Sequence, residues 1–172
     1  MYHGLSHDNM NEAETLYVRD EHGQYVLATP AQVLAAARHK ADQLLDRGPL
    51  LQRPNIVKQF LVAKLAGMEH EIVSCIFLNN QLRLIQYQEI FNGTVNQSAI
   101  YPREIVKAAL RLNASAVIMA HNHPSGAASP SDADIRITKT VRECLEMIDM
   151  RLIDHLIVAG SQAISLAEIG EI

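Results

Sequence analysis

Two histidines, His121 and His123, flank Asn122 and precede a serine and an aspartate, Ser131 and Asp134, that lie three apart. Each spacing has a physical use. On an extended backbone, side chains at i and i+2 leave the same face, so both imidazoles can reach one ion. On a helix, residues at i and i+3 are surface neighbours, so Ser131 and Asp134 share a face. Two nitrogens and one carboxylate oxygen leave a fourth tetrahedral position open, the layout of a catalytic rather than a structural zinc. A zinc there would lower the pKa of its water to about 7, which suits attack on an amide carbonyl. A separate carboxylate would have to take the proton and pass it to the leaving nitrogen. A hydroxyl such as Ser131 could stabilise the oxyanion.

Taken singly, each residue has a plainer use. An H-x-H pair is often two satisfied histidines. Ser129, Ser131 and Asp132 suit helix capping, and Asp134 suits a helix N-terminus electrostatically. Together, at a junction of strand, loop and helix, they point to a metal. The same ligand types could hold ferrous iron, but such sites more often place the carboxylate beside the first histidine, so zinc leads. A zinc deaminase would need H-x-E and P-C-x-x-C, and the sequence has neither.

The elements that must position these groups follow from pattern. Thr15–Asp20 and Gln24–Ala28 flank Glu21-His22-Gly23 and suggest a hairpin. Thr29-Pro30 opens a helix that carries Val33, Leu34, Ala37, Ala41, Leu44 and Leu45 to a stop at Gly48-Pro49. Pro54 leads into another helix, closed near Gly67. The apolar run Ile72–Leu78 reads as a central strand buried on both faces, with Leu82–Phe91 as its partner across Asn79-Asn80-Gln81. Val95–Ile100 is a weaker strand and Pro102–Leu112 a helix.

Ser115–Ala120 is a short strand running straight into His121. Ser129-Pro130-Ser131-Asp132 has the form of a capping box, starting a helix to about Met150. On that helix Asp134 lines up with Ile137, Val141, Leu145 and Ile148, the stripe that must face the core. A carboxylate on such a stripe needs a partner, and histidines around a cation would supply one. Leu152–Ala159 and Ile164–Leu166 are strands. The order implies a mixed sheet with helices on its faces, an α/β class, with a boundary around Gly48–Pro54.

The chain has 172 residues, 48% apolar and 20% charged, with a net charge of -4, which is ordinary for a globular protein and argues mildly against nucleic-acid binding. Cys75 and Cys144 form no C-x-x-C pair and read as buried thiols. No apolar leader or bilayer-length run is visible, so a cytoplasmic protein with no membrane contact is expected.

His121-Asn122-His123-Pro124-Ser125-Gly126, with Ser131 and Asp134, resembles the JAMM motif of JAB/MPN metalloproteases, and most closely its RadC-like branch. Glu71 with the following strand, Phe91-Asn92-Gly93-Thr94, Tyr101-Pro102-Arg103-Glu104, Asp154-His155 and Ser165-Leu166-Ala167-Glu168 extend the likeness from about residue 50 onward. The resemblance implies a three-layer α/β sandwich similar to cytidine deaminase, over residues 51–172, with 1–50 as an extension of hairpin plus helix. It implies one zinc per chain, held by His121, His123 and Asp134. Spacing alone leaves Glu69, Glu71, Glu89 and Glu104 open as the base; the resemblance selects Glu71. RadC-like proteins of full length carry an N-terminal helix-hairpin-helix-like domain that residues 1–50 do not resemble, so a short stand-alone form is expected.

The expected activity is therefore a zinc-dependent metallopeptidase or isopeptidase acting on a peptide or protein, its target unspecified. Arg103, Lys107 and Arg111 recur at i, i+4 and i+8, a stripe that suits either a solvated face or phosphate contacts of a DNA-associated accessory protein. A non-catalytic interaction module would have no use for an open coordination position. A homodimer is compatible with the size of the domain. His155 could sit near the metal, behind its ligands at best, but reads more readily as a satisfied half-buried histidine, and Asn122 reads as a structural residue pointing away from the ligands.

Overall fold

The computed structural model of the chain describes residues 16–42, 54–93 and 100–172. Residues up to Ala37 and residues from Arg38 form two compact units. This division falls within a helix, ahead of the expected boundary at Gly48–Pro54, most of which lies outside the described residues.

In the first unit, β1 (Tyr17–Arg19) and β2 (Tyr25–Leu27) pair antiparallel. The Asp20 carboxylate accepts the N–H groups of His22 and Gln24, and Gly23 takes the left-handed φ of +78° that closes the turn. Helix α1 (Pro30–Asp42) starts where Thr29-Pro30 places it. Gln32 reaches back to the Thr29 N–H at 2.9 Å while Gln32 N–H meets Thr29 Oγ1 at 3.3 Å, a reciprocal cap.

The second unit is built on a five-stranded sheet. Its strands are β3 (Ile72–Leu78), β4 (Leu84–Asn92), β5 (Ala116–Asn122), β6 (Arg151–Ala159) and β7 (Gln162–Ser165), in spatial order β4-β3-β5-β6-β7. β3 runs antiparallel to both β4 and β5, β5 runs parallel to β6, and β7 returns antiparallel. Helix α2 (Pro54–Leu65) packs Val57, Phe60, Leu61 and Leu65 on one face, against Ile72, Ile76, Ile118 and Leu156. Helices α3 (Pro102–Arg111) and α4 (Asp132–Glu146) cover the other, where Ile105, Ala109, Val141 and Leu145 meet Val73, Cys75, Phe77, Val117 and Met119. This is the expected α/β arrangement of three layers around a mixed sheet. Every residue of β3 and β5 is buried, which explains their unbroken apolar runs.

Parallel pairing of β5 and β6 requires a crossover, and α4 supplies it. The chain leaves β5 at Asn122, and α4 begins after a nine-residue loop, 123–131. The end of β5, the central strand, and the start of α4 are thereby brought together at one end of the strands.

Several boundaries differ from expectation. β5 continues through His121 and Asn122, so the first histidine is inside the strand. α4 is capped by Ser131, not Ser129, and its reciprocal partner is Asp134, not Asp132. The helix ends at Glu146 rather than near Met150, and Asp149 takes a φ of +57° in the turn that follows. The weak strand expected over Val95–Ile100 lies, apart from Ile100, outside the described residues. The buried thiols expected of both cysteines hold for Cys75, whereas Cys144 is half-buried.

Candidate metal centre

His121 and His123 alternate with Asn122 at the end of β5, so their rings leave one side and the amide leaves the other. His121 Nε2 lies 2.9 Å from His123 Nε2, 3.2 Å from Asp134 Oδ1, and His123 Nε2 lies 3.5 Å from Asp134 Oδ2. Ligands about 2.0–2.1 Å from a tetrahedral zinc sit about 3.3 Å from one another. The three observed separations bracket that value, so the donor set fits a small divalent cation. Among the described residues, this is the one cluster of three His, Cys, Asp or Glu side chains with converging ligand atoms. Two imidazole nitrogens at 2.9 Å also need a proton or a metal between them, because two lone pairs would repel at that distance.

Each ring is held from behind. His123 Nδ1 donates to the Ala127 carbonyl at 2.7 Å, leaving Nε2 toward the centre. His121 is completely buried, and its Nδ1 faces His155 Nε2 at 2.8 Å. His155, also completely buried, faces Thr138 Oγ1 through Nδ1 at 2.6 Å. Burial, followed by the charge of His121, pushes the His155 pKa well below the ordinary histidine value, so this ring is neutral.

Asp134 is positioned by the helix start. Its Oδ2 accepts from Ser131 N–H and Ser131 Oγ, both at 2.7 Å, and Asp134 N–H returns a 3.2 Å bond to Ser131 Oγ. Burial would raise its pKa, but the hydrogen bonds of His121, His123 and Ser131 outweigh this and hold the carboxyl well below the usual range. Asp134 is thus an anion poised for a cation. The Ser131 hydroxyl is engaged with Asp134 in this arrangement. His123 moves the other way: the Asp134 hydrogen bond raises its pKa against the effect of burial.

Glu71 immediately precedes β3 and is half-buried. Burial raises its pKa; His121 and His123 oppose this and Asp134 adds to it, so its carboxyl lies within the field of all three. Its neighbours are clamped by Asn122, whose Oδ1 accepts the Ile72 N–H at 2.7 Å and whose Nδ2 donates to the His70 carbonyl at 3.0 Å. The residue between the two histidines therefore grips the backbone on both sides of Glu71. Of the other glutamates that spacing left open, Glu69 is exposed, Glu89 is exposed beside Tyr87, and Glu104 is paired with Lys107 and Arg103.

A cavity of about 210 Å³ opens beside His123, lined by Leu65, Gly67, Met68, Asn122, Pro124 and Val158 among others. Asn122 points away from the ligands as expected, His155 is completely buried rather than half-buried, and Thr138 was not singled out by the sequence. Thr138 carried a signal: it stands four residues after Asp134, on the same helical face. The Arg103, Lys107 and Arg111 stripe is exposed, and its first two members both lie against Glu104.

No helix of the described residues is long and apolar enough to cross a membrane. The chain is 49% identical over 138 residues to a UPF0758 protein of Cellvibrio japonicus and 47% identical over 143 residues to one of Marinobacter nauticus. These matches cover 80% and 81% of the chain but only 62% and 64% of the relatives. A UPF0758 protein of Vibrio cholerae is 45% identical over 150 residues, 86% of this chain and 94% of that protein. The sequence profile of the RadC-like JAB domain matches residues 51–171, the stretch that contains the whole sheet, both histidines, Asp134 and Glu71. With that match, and relatives approaching half identity over four-fifths of its length, the chain belongs to the RadC-like JAB domain family.

Proposed function

We propose that this domain is a zinc-dependent hydrolase of amide bonds, a metallopeptidase or isopeptidase. The observation that carries the reading is the convergence of two imidazole Nε2 atoms and a carboxylate, 2.9–3.5 Å apart, within the field of a half-buried glutamate. His121, His123 and Asp134 would hold the ion. When bound, such an ion supplies Lewis acidity and lowers the pKa of a water to about 7.

The chain's own residues do the rest. Glu71 accepts a proton from the attacking water at its carboxylate and returns it to the leaving nitrogen, a role typically contributing about 10²–10⁴ in rate. Its raised pKa suits both halves of that transfer, because the group must give up the proton as readily as it takes it. Asn122 keeps Glu71 at its post through the backbone of His70 and Ile72. Ser131 orients Asp134, and its hydroxyl becomes available to an oxyanion when it turns from that carboxylate. The cavity beside His123 offers room for a substrate segment next to the scissile bond.

The test is metal analysis with a peptide-library cleavage screen on wild type, Glu71→Gln and His123→Ala. Wild type and Glu71→Gln are expected to hold one zinc each, with hydrolysis only in the former. Equal zinc in His123→Ala would sink the ligand set, and undiminished cleavage by Glu71→Gln would sink the proton role.

A further inference from the structure

The ring behind His121 is not a passive packing group. Thr138 Oγ1 has one proton, and it goes to the Asp134 backbone carbonyl at 2.5 Å, four residues back on α4. The same oxygen lies 2.6 Å from His155 Nδ1, so it can only accept there, and His155 must carry its proton on Nδ1. A completely buried imidazole whose ring nitrogens meet a hydroxyl and another imidazole, with no carboxylate between them, stays neutral, and once protonated at Nδ1 it has a bare Nε2. That atom is 2.8 Å from His121 Nδ1, which must therefore be the donor. His121 is then left with a lone pair on Nε2, the atom that faces His123 and Asp134, so without a metal the proton in the 2.9 Å contact belongs to His123 Nε2.

Without this chain of bonds the preference would reverse. Asp134 Oδ1, 3.2 Å from His121 Nε2, favours a proton on that nitrogen, where it blocks a metal. The two sides of the ring thus compete for one proton, and the contact with His155 is completely buried and shorter, 2.8 Å against 3.2 Å.

We propose that Thr138 and His155 form a directional hydrogen-bond relay that fixes His121 as the Nδ1–H tautomer and so prepares its Nε2 for the metal. Both are positioning residues: neither reaches the ion. The relay begins at the backbone of Asp134 and ends at the ring of His121, so it ties the helix that supplies the carboxylate to the strand that supplies the imidazole. It rests on the metal-binding half of the proposed function.

Two measurements separate the two ideas. The tautomer of His121 is read in the metal-free protein by two-bond ¹H–¹⁵N correlation at about pH 8, above the ordinary histidine range. Zinc affinity is read by competition with a chromophoric chelator. Wild type is expected to show the Nδ1–H form. Thr138→Val, nearly isosteric but without the hydroxyl, is expected to lose that form and bind zinc about 10–100-fold more weakly. Thr138→Ser restores the hydroxyl and is expected to recover both. A wild-type His121 protonated on Nε2, or a folded Thr138→Val protein with wild-type zinc affinity, overturns the relay. If Thr138→Val does not fold, the wild-type tautomer and the Ser variant decide. Failure of the wild type to bind zinc would overturn the proposed function, and the tautomer in the metal-free protein would still decide the relay.

Discussion

At the scale of single residues, Asn122 illustrates how a polar side chain acts through backbone. Replacing it with alanine leaves the Ile72 N–H without its side-chain acceptor in a buried setting, a loss of about 1–3 kcal/mol. Urea unfolding of Asn122→Ala should show that loss, and zinc content should stay at the wild-type level because neither histidine is touched. A second expectation concerns pH. Burial holds His155 neutral in the folded chain, whereas an unfolded histidine titrates at about 6.5. Below that value the unfolded state gains a proton that the folded state refuses, so this residue's contribution falls as pH drops from about 6.5. Urea midpoints of the metal-free protein at falling pH, compared with His155→Gln, should show the variant losing less stability over that window. Parallel loss in both proteins would refute it. The convergence of His121, His123 and Asp134 was legible in the sequence because H-x-H and S-x-x-D are local spacings that geometry converts directly into shared faces. Glu71 was not legible from spacing, because it arrives from another strand, and His155 needed the β5–β6 register, which pairs Met119 with it, to bring it to His121.

At the scale of elements, the start of α4 carries the most information. The sequence offers two overlapping S-x-x-D frames, Ser129 with Asp132 and Ser131 with Asp134. The first has proline at the first helical position and looked the better cap. The chain uses the second, because that frame turns Asp134 inward while Ser131 sits at φ -83° and ψ 163° with both capping bonds made. Ser131→Ala should therefore cost about 1 kcal/mol, as helix caps do, whereas Ser129→Ala should stay within about 0.5 kcal/mol. Thermal melts of the two variants check this, and a larger loss in Ser129→Ala than in Ser131→Ala would return the cap to Ser129. The central strands were legible, since β3 and β5 are apolar on both faces and can only lie inside a covered sheet. The length of α4 was not. Its apolar stripe continues through Ile148, but the chain has already left the helix at Met147 for a turn that aims β6 alongside β5.

For the whole molecule, the candidate metal site ties the central strand and the helix that covers it to the stability of the fold. His121 is hydrogen-bonded into the middle of the sheet, with Val73 and Ile157 as its register partners, and Asp134 belongs to the first turn of the helix covering that sheet. A cation held by both must be lost when the sheet and α4 separate, so its binding energy is added to the stability of the second unit. At a free concentration 100 times its dissociation constant, an ion that binds only the folded state stabilises by about 2.7 kcal/mol. For a protein of this size that corresponds to a rise in Tm of about 5–10 °C. Zinc titrated into chelator-treated protein should produce this rise, EDTA should reverse it, and His123→Ala, which lacks one of the three donors, should show little of it. A rise of the same size in His123→Ala would mean that the ion stabilises the fold from somewhere else, and the convergence of the three side chains would then need another explanation, such as a proton shared between the histidines and Asp134.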